Sequence, residues 1–247
     1  MVDRMKQAAG VTADSEAGQG YARLGFEGGA MLFDRARLAP PGPQWLQPQH
    51  YGGQARAVQA GGRQAAWFVQ GPGWQAVLRG YRRGGWVARL SRQRYIWTGE
   101  AGTRAFREFR LLARLHAQGL PVPQPLAAAC WRHGLTYEAA ILIERINGAR
   151  ALAQDLTPAA CEAAGQAIAS MHRAGVWHAD LNAFNILLDP PGRAWLIDFD
   201  RGHARGVSLR QRQANLQRLR RSLRKVAGEQ GEAAWQRIHQ AYQAAGA

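Results

Sequence analysis

Two carboxylates and one amide are the side chains most able to do chemistry here. Asp180 and Asn185 lie five residues apart in His178-Ala179-Asp180-Leu181-Asn182-Ala183-Phe184-Asn185, and Asp198 follows thirteen residues later in Ile197-Asp198-Phe199-Asp200. Phosphoryl transfer from ATP needs a group that orients and deprotonates the acceptor hydroxyl, and oxygen ligands for Mg2+ beside the phosphates. Mg2+ keeps most of its waters, so one amide and one carboxylate suffice as protein ligands. A buried strand after Asn185, a turn at Pro190-Pro191-Gly192 and a second strand would bring Asp198 back beside the loop. The plain alternative is a polar surface loop followed by a hairpin. It does not call for all three positions, their spacing and the flanking strands at once.

The pattern H-x-D-x-x-x-x-N followed by D-F-x resembles that of the protein-kinase-like superfamily. The resemblance implies that Asp180 is the catalytic base and that Asn185 and Asp198 are the metal ligands. His172 and His178 are expected to support the loop structurally, because no third ligand or nucleophile accompanies them. Trp177 and Trp195 are expected to pack. Asp200 stands where such kinases have the glycine of their D-F-G, and no A-P-E follows. Both departures argue for a small-molecule or glycolipid acceptor and against a regulated protein kinase.

A nucleotide clamp is expected upstream. Gly61, Gly62 and Arg63 fit a turn between the first two strands, where glycine lets backbone amides approach phosphates. An ordinary hairpin turn is the competing reading. The kinase lysine of the third strand has no counterpart, since the only lysines are Lys6 and Lys225. Arg79 takes that place, and a guanidinium can grip two phosphate oxygens. Its expected partner is Glu108, which sits among Ala105, Leu111, Leu112 and Leu115 within about 60° of helical wheel. A carboxylate in an apolar stripe is costly unless paired; the alternative is a half-exposed edge.

Strands are expected at 67–69, 75–78 and 86–90. A helix should run from Thr103 to a stop at Gly119, with strands near 126–131 and 136–145. A second helix has Thr157 as N-cap, Pro158 in its first turn and Gly175 past its end. Two short strands (186–188 and 195–197) precede a helical region over 207–245. The expected fold is α+β and bilobal, protein-kinase-like, with an antiparallel β-sheet N-lobe and a mainly helical C-lobe. The expected divisions are a loose segment 1–20, an ATP-clamping lobe 21–145 and a catalytic lobe 146–247.

The net charge of +15 is carried almost entirely by arginine. Nucleic acid, an anionic membrane surface or a polyanionic substrate are the partner classes it admits. No apolar run reaches the length of a membrane span, and the first 20 residues lack a secretory-signal layout. A cytoplasmic location follows as an expectation. Cys130 and Cys161 lack metal-ligand spacing and read as buried free thiols.

Leu78-Arg79-Gly80-Tyr81-Arg82-Arg83-Gly84-Gly85, the 178–185 loop and Leu196-Ile197-Asp198-Phe199-Asp200-Arg201-Gly202 together resemble the 3-deoxy-D-manno-octulosonic acid (Kdo) kinases of lipopolysaccharide core synthesis. The similarity runs over about residues 25–240. It implies transfer of the γ-phosphate of ATP, with Mg2+, to the 4-hydroxyl of Kdo on a lipid A precursor. It also implies a peripheral place on the cytoplasmic side of the bacterial inner membrane. A Kdo-lipid acceptor is anionic and lies in an anionic bilayer, which suits this charge. Arg82, Arg83, Arg210, Arg212, Arg218, Arg220, Arg221 and Arg224 are the candidate contact residues; a solvated helix face is the alternative for the later ones. No nucleic-acid partner is expected, and no feature fixes an oligomeric state. The competing readings are a heptose kinase or other small-molecule phosphotransferase of the same fold, and a non-catalytic basic protein binding RNA or membrane.

Overall fold

The computed structural model describes residues 11–13, 20–58, 66–81 and 95–246. They fall into two units, Met1–Arg110 with Pro125–Arg145, and Leu111–Gln124 with Ile146–Ala247. Gly61, Gly62, Arg63, Arg82, Arg83 and the strand expected at 86–90 lie outside the described residues.

The first unit is built on an antiparallel sheet. Its strands are β1 (Val11–Ala13), β2 (Tyr21–Phe26), β3 (Gly29–Asp34), β4 (Arg56–Ala57), β5 (Ala66–Gly71), β6 (Trp74–Gly80), β7 (Tyr95–Ile96), β8 (Pro125–His133) and β9 (Thr136–Glu144). The order is β1-β2-β3-β8-β9-β6-β5-β4, with β7 also pairing β9. Val11–Ala13, inside the segment expected to be loose, pairs with β2. The hairpin β2–β3 was not anticipated, although Ala22 and Leu24 alternate inward and Gly28 supplies the left-handed turn (φ 77°).

Strand alternation then decides which side chains serve the core and which serve chemistry. Trp74, Ala76 and Leu78 of β6 enter a core with Met31, Phe33, Leu38, Leu46, Tyr51, Leu126 and Leu142. Arg79, the next residue, must face the opposite side. Helix α1 (Arg104–Ala117) brings Glu108 to it, with Phe106 and Phe109 buried alongside.

In the second unit, β10 (Arg150–Ala151), β11 (Ile186–Leu188) and β12 (Ala194–Leu196) form a small antiparallel sheet. Helix α2 (Pro158–Arg173) starts on Thr157, whose side chain accepts from the Ala160 amide, and ends before Gly175 (φ 72°). Helix α3 (Leu209–Ala244) opens with a Ser208/Gln211 capping box. It is not one rod. Ala227 and Gly228 leave helical geometry (φ −135° and 53°). Across them Arg220 grips Glu232 with Nε–Oε2 3.1 Å and Nη2–Oε1 2.5 Å. Twelve residues of straight helix would separate those Cα atoms by about 18 Å, so the chain doubles back on itself. Gly231 makes the return possible, since a Cβ there would lie 2.1 Å from the Leu223 carbonyl oxygen.

Gly165 lets α2 and α3 meet almost backbone to backbone. A Cβ at this position would stand 2.5 Å from the Ile238 carbonyl oxygen and 3.0 Å from the Tyr242 nitrogen. Backbone cannot swing aside as a side chain can. Gly165→Ala is therefore expected to destabilise the protein by about 1–3 kcal/mol, the usual cost of overpacking, read as an earlier thermal unfolding midpoint. An unchanged midpoint would mean the helices have room to part.

Among the described residues no helix is long and apolar enough to cross a membrane. Cys130 and Cys161 are buried free thiols, and burial pushes each up to about 11, which leaves them protonated and unreactive near neutral pH.

Candidate active site

The 178–185 loop is folded by its own polar side chains. The Asp180 carbonyl accepts from Asn182 Nδ2 (3.0 Å) and from Asn185 Nδ2 (2.9 Å). Asn182 Oδ1 accepts from the Phe184 amide at 2.8 Å, a local Asx turn. Because Nδ2 of Asn185 is committed to a carbonyl, its Oδ1 is the face left for a ligand. The hairpin β11–β12 then returns the chain. The Ile197 amide donates to the Asn185 carbonyl at 3.1 Å, which sets Asp198 one residue beyond the Asn185 pairing position. Asp198 has φ 64°. A left-handed non-glycine residue costs on the order of 1 kcal/mol or more, and such residues gather at functional sites. Asn185 Oδ1 and the Asp198 carboxylate are hard oxygen donors of the kind Mg2+ takes.

His178 joins the two halves of this arrangement. Its Nε2 donates to the Ile197 carbonyl at 2.9 Å, and its Nδ1 accepts from the Asp180 amide at 3.1 Å. A carbonyl can only accept and an amide only donate, so the ring is neutral with the proton on Nε2. Burial lowers its pKa in agreement, against the opposing pull of the Asp198 and Asp180 charges. Its ring also packs on Phe199, centroids 4.8 Å apart. The structural role expected of His178 matches these contacts.

Helix α3 holds the loop from the other side, and no reading of the sequence anticipated how. Asn215 accepts from the His178 amide (3.2 Å) and donates to the His178 carbonyl (2.7 Å). Ser222 Oγ accepts from the Ala183 amide at 3.1 Å. Between them Arg218 reaches Asp180 Oδ1 with Nε at 2.7 Å and Nη2 at 2.5 Å. Positions 215, 218 and 222 form one stripe of the helix. The available signal was Asn215, a polar residue four positions before Leu219 in the apolar stripe of α3.

His172 lies beneath this stripe. Its ring bonds the Tyr242 hydroxyl at 2.9 Å and Asn215 Oδ1 at 3.3 Å. Burial, ahead of all other causes, pulls its pKa down from 6.5 to about 4. The folded state thus binds a proton less readily than the unfolded chain does. Stability contributed by neutral His172 is complete above about pH 6.5 and is lost as pH falls toward 4. Unfolding free energy measured by denaturant titration is expected to decline across that window, with a shallower decline in His172→Gln. An identical slope in the variant would assign the acid sensitivity elsewhere.

In the first unit, Arg79 Nη2 lies 2.6 Å from both oxygens of Glu108, and the Tyr81 hydroxyl donates to Oε2 at 2.5 Å. The Glu108 side chain is 1% exposed and that of Arg79 21%. The apolar stripe that made Glu108 anomalous in the sequence is thus reconciled by an ion pair, and the half-exposed alternative does not hold. Gly61, Gly62 and Arg63 lie outside the described residues.

An antiparallel sheet unit and a mainly helical unit give the α+β, protein-kinase-like fold class. Residues 49–242 match the model of the lipopolysaccharide kinase (Kdo/WaaP) family. The 3-deoxy-D-manno-octulosonic acid kinase of Xanthomonas axonopodis pv. citri (strain 306) is 50% identical over 236 residues, 92% of each chain. The protein of the same name from Stenotrophomonas maltophilia (strain R551-3) is 51% identical over 205 residues, 81% of this chain and 82% of its own. The chain belongs to the lipopolysaccharide kinase (Kdo/WaaP) family.

Proposed function

We propose that this enzyme transfers the γ-phosphate of ATP to the 4-hydroxyl of Kdo carried on a lipid A precursor. The observation that carries the reading is the Asp180 carboxylate, half-exposed on a loop whose hydrogen bonds aim Asn185 Oδ1 and place Asp198 next in register. The names of the relatives support Kdo as the acceptor sugar.

Asp180 is the base. The acceptor oxygen bonds to the γ-phosphorus as its proton passes to the Asp180 carboxylate. The bond from phosphorus to the β–γ bridging oxygen breaks, and ADP leaves with that electron pair. Asn185 and Asp198 would hold Mg2+, which when bound offsets charge on the phosphates. Arg79, steadied by Glu108, takes the α- and β-phosphates, with Gly61, Gly62 and Arg63 as further phosphate-binding residues. The net charge of +15 and exposed basic residues on α3 support a peripheral site on the cytoplasmic face of the inner membrane.

Radiolabelled ATP offered with Kdo-lipid A precursor, and separately with heptosylated core, tests the acceptor. Label in the first is expected. Label confined to the heptosylated acceptor would replace Kdo by heptose as the substrate, and label in neither would favour a non-catalytic protein.

A further inference from the structure

Arg218 makes an odd partner for a base. Only its Nε–H hydrogen-bonds Asp180, at Oδ1, with Nη2 crowded 2.5 Å from the same oxygen, whereas a guanidinium and a carboxylate at rest prefer two parallel bonds to two oxygens. Asp180 Oδ2 accepts no hydrogen bond among the described residues, and four of the five guanidinium N–H groups donate no hydrogen bond there. The two side chains are 48% and 49% exposed. A pair so open to water adds little to the stability of a fold. The loop does not need it, because Asn215 and Ser222 already tie residues 178 and 183 to α3. What the two anchors do is fix the Arg218 backbone over Asp180 whatever its side chain is doing.

We propose that Arg218 is the receiver for an anionic group on the acceptor, a carboxylate close to the reacting hydroxyl. In the free protein the guanidinium rests on Asp180 Oδ1. When the acceptor arrives, its carboxylate takes the uncommitted N–H groups, and the hydroxyl reaches Oδ2. Charge on the acceptor is thereby read at the base itself, and a neutral sugar hydroxyl finds Arg218 still turned to Asp180. Arg221 and Lys225, exposed three and seven residues further along the same face, make the approach electropositive. The proposal rests on the acceptor reading above: Kdo is an acid, and one ring carbon separates the carbon bearing its carboxylate from the one bearing the 4-hydroxyl.

The test compares Kdo-lipid A precursor with its carboxyl methyl ester at saturating ATP, for the full-length protein, Arg218→Ala and Arg218→Lys. Charge-assisted hydrogen bonds contribute enough for the unmodified enzyme to show a KM about 10- to 100-fold higher for the ester. Arg218→Ala should raise KM for the acid by a similar factor and bring the two acceptors within about threefold of each other, while Arg218→Lys retains part of the preference. Persistence of the full ester penalty in Arg218→Ala, with the unmodified enzyme active, overturns the role of Arg218 and leaves the acceptor assignment standing. An unmodified enzyme that labels neither acceptor overturns the assignment of function, and this inference with it.

Discussion

Asp180→Asn is expected to lower kcat by about 10²–10⁴-fold, the range contributed by a positioned general base, with KM for ATP nearly unchanged. The substitution is close to isosteric, and the contacts that shape the loop run through backbone. The Asp180 carbonyl would still take Asn182 and Asn185, and its amide would still meet His178 Nδ1. Arg218 would keep a side-chain oxygen to bond. What disappears is an acceptor for the hydroxyl proton. The measurement is steady-state kinetics in both substrates. A fall in kcat without a change in KM for ATP marks an interaction made in the transition state. A large rise in KM for ATP with kcat preserved would move Asp180 from the reaction to nucleotide binding.

Arg79→Ala should give the largest loss of stability. Removing one member of a buried ion pair costs about 3–5 kcal/mol, because the remaining charge is left in an apolar surrounding. Glu108 approaches that case, with its carboxylate 1% exposed and Arg79 2.6 Å from both of its oxygens. Pairing Arg79→Ala with Glu108→Gln should recover part of the loss, since a neutral amide can still accept the Tyr81 hydroxyl. Thermal unfolding of the two variants reads this directly. On the proposed function Arg79→Ala also raises KM for ATP, and the double variant does not restore it. Recovery of stability together with nucleotide binding would make the pair purely structural.

The parts of the fold that could be read from the sequence are those in which chemistry or local geometry dictates spacing. Asp180, Asn185 and Asp198 sit at separations that one loop and one hairpin impose. Thr157, Pro158 and Gly175 punctuate α2 by backbone requirements that act within a few residues. Glu108 was legible as an anomaly, and an anomaly of burial charge has few solutions. The hairpin β2–β3 was legible and overlooked: its alternation and Gly28 turn are ordinary signals.

Other features are non-local and left little trace. Arg218 meets Asp180 across 38 residues, and nothing in the periodicity of α3 distinguishes it from the arginines around it. Reading the C-terminal arginines as one basic series conceals that Arg218 meets Asp180 while Arg220 clasps Glu232. The turn at Ala227–Gly228 is similarly hidden, because a lone glycine in a helical run is usually tolerated. Only Gly231, needed where the chain returns against Leu223, hints at it.

Mass spectrometry of Kdo-lipid A precursor after incubation with ATP and Mg2+ puts the central claim to its most direct test. The account predicts a gain of one phosphoryl group, retained on the Kdo fragment, with the unmodified enzyme and its near absence with Asp180→Asn. A phosphoryl group on another sugar, or an undiminished gain in the variant, would contradict it.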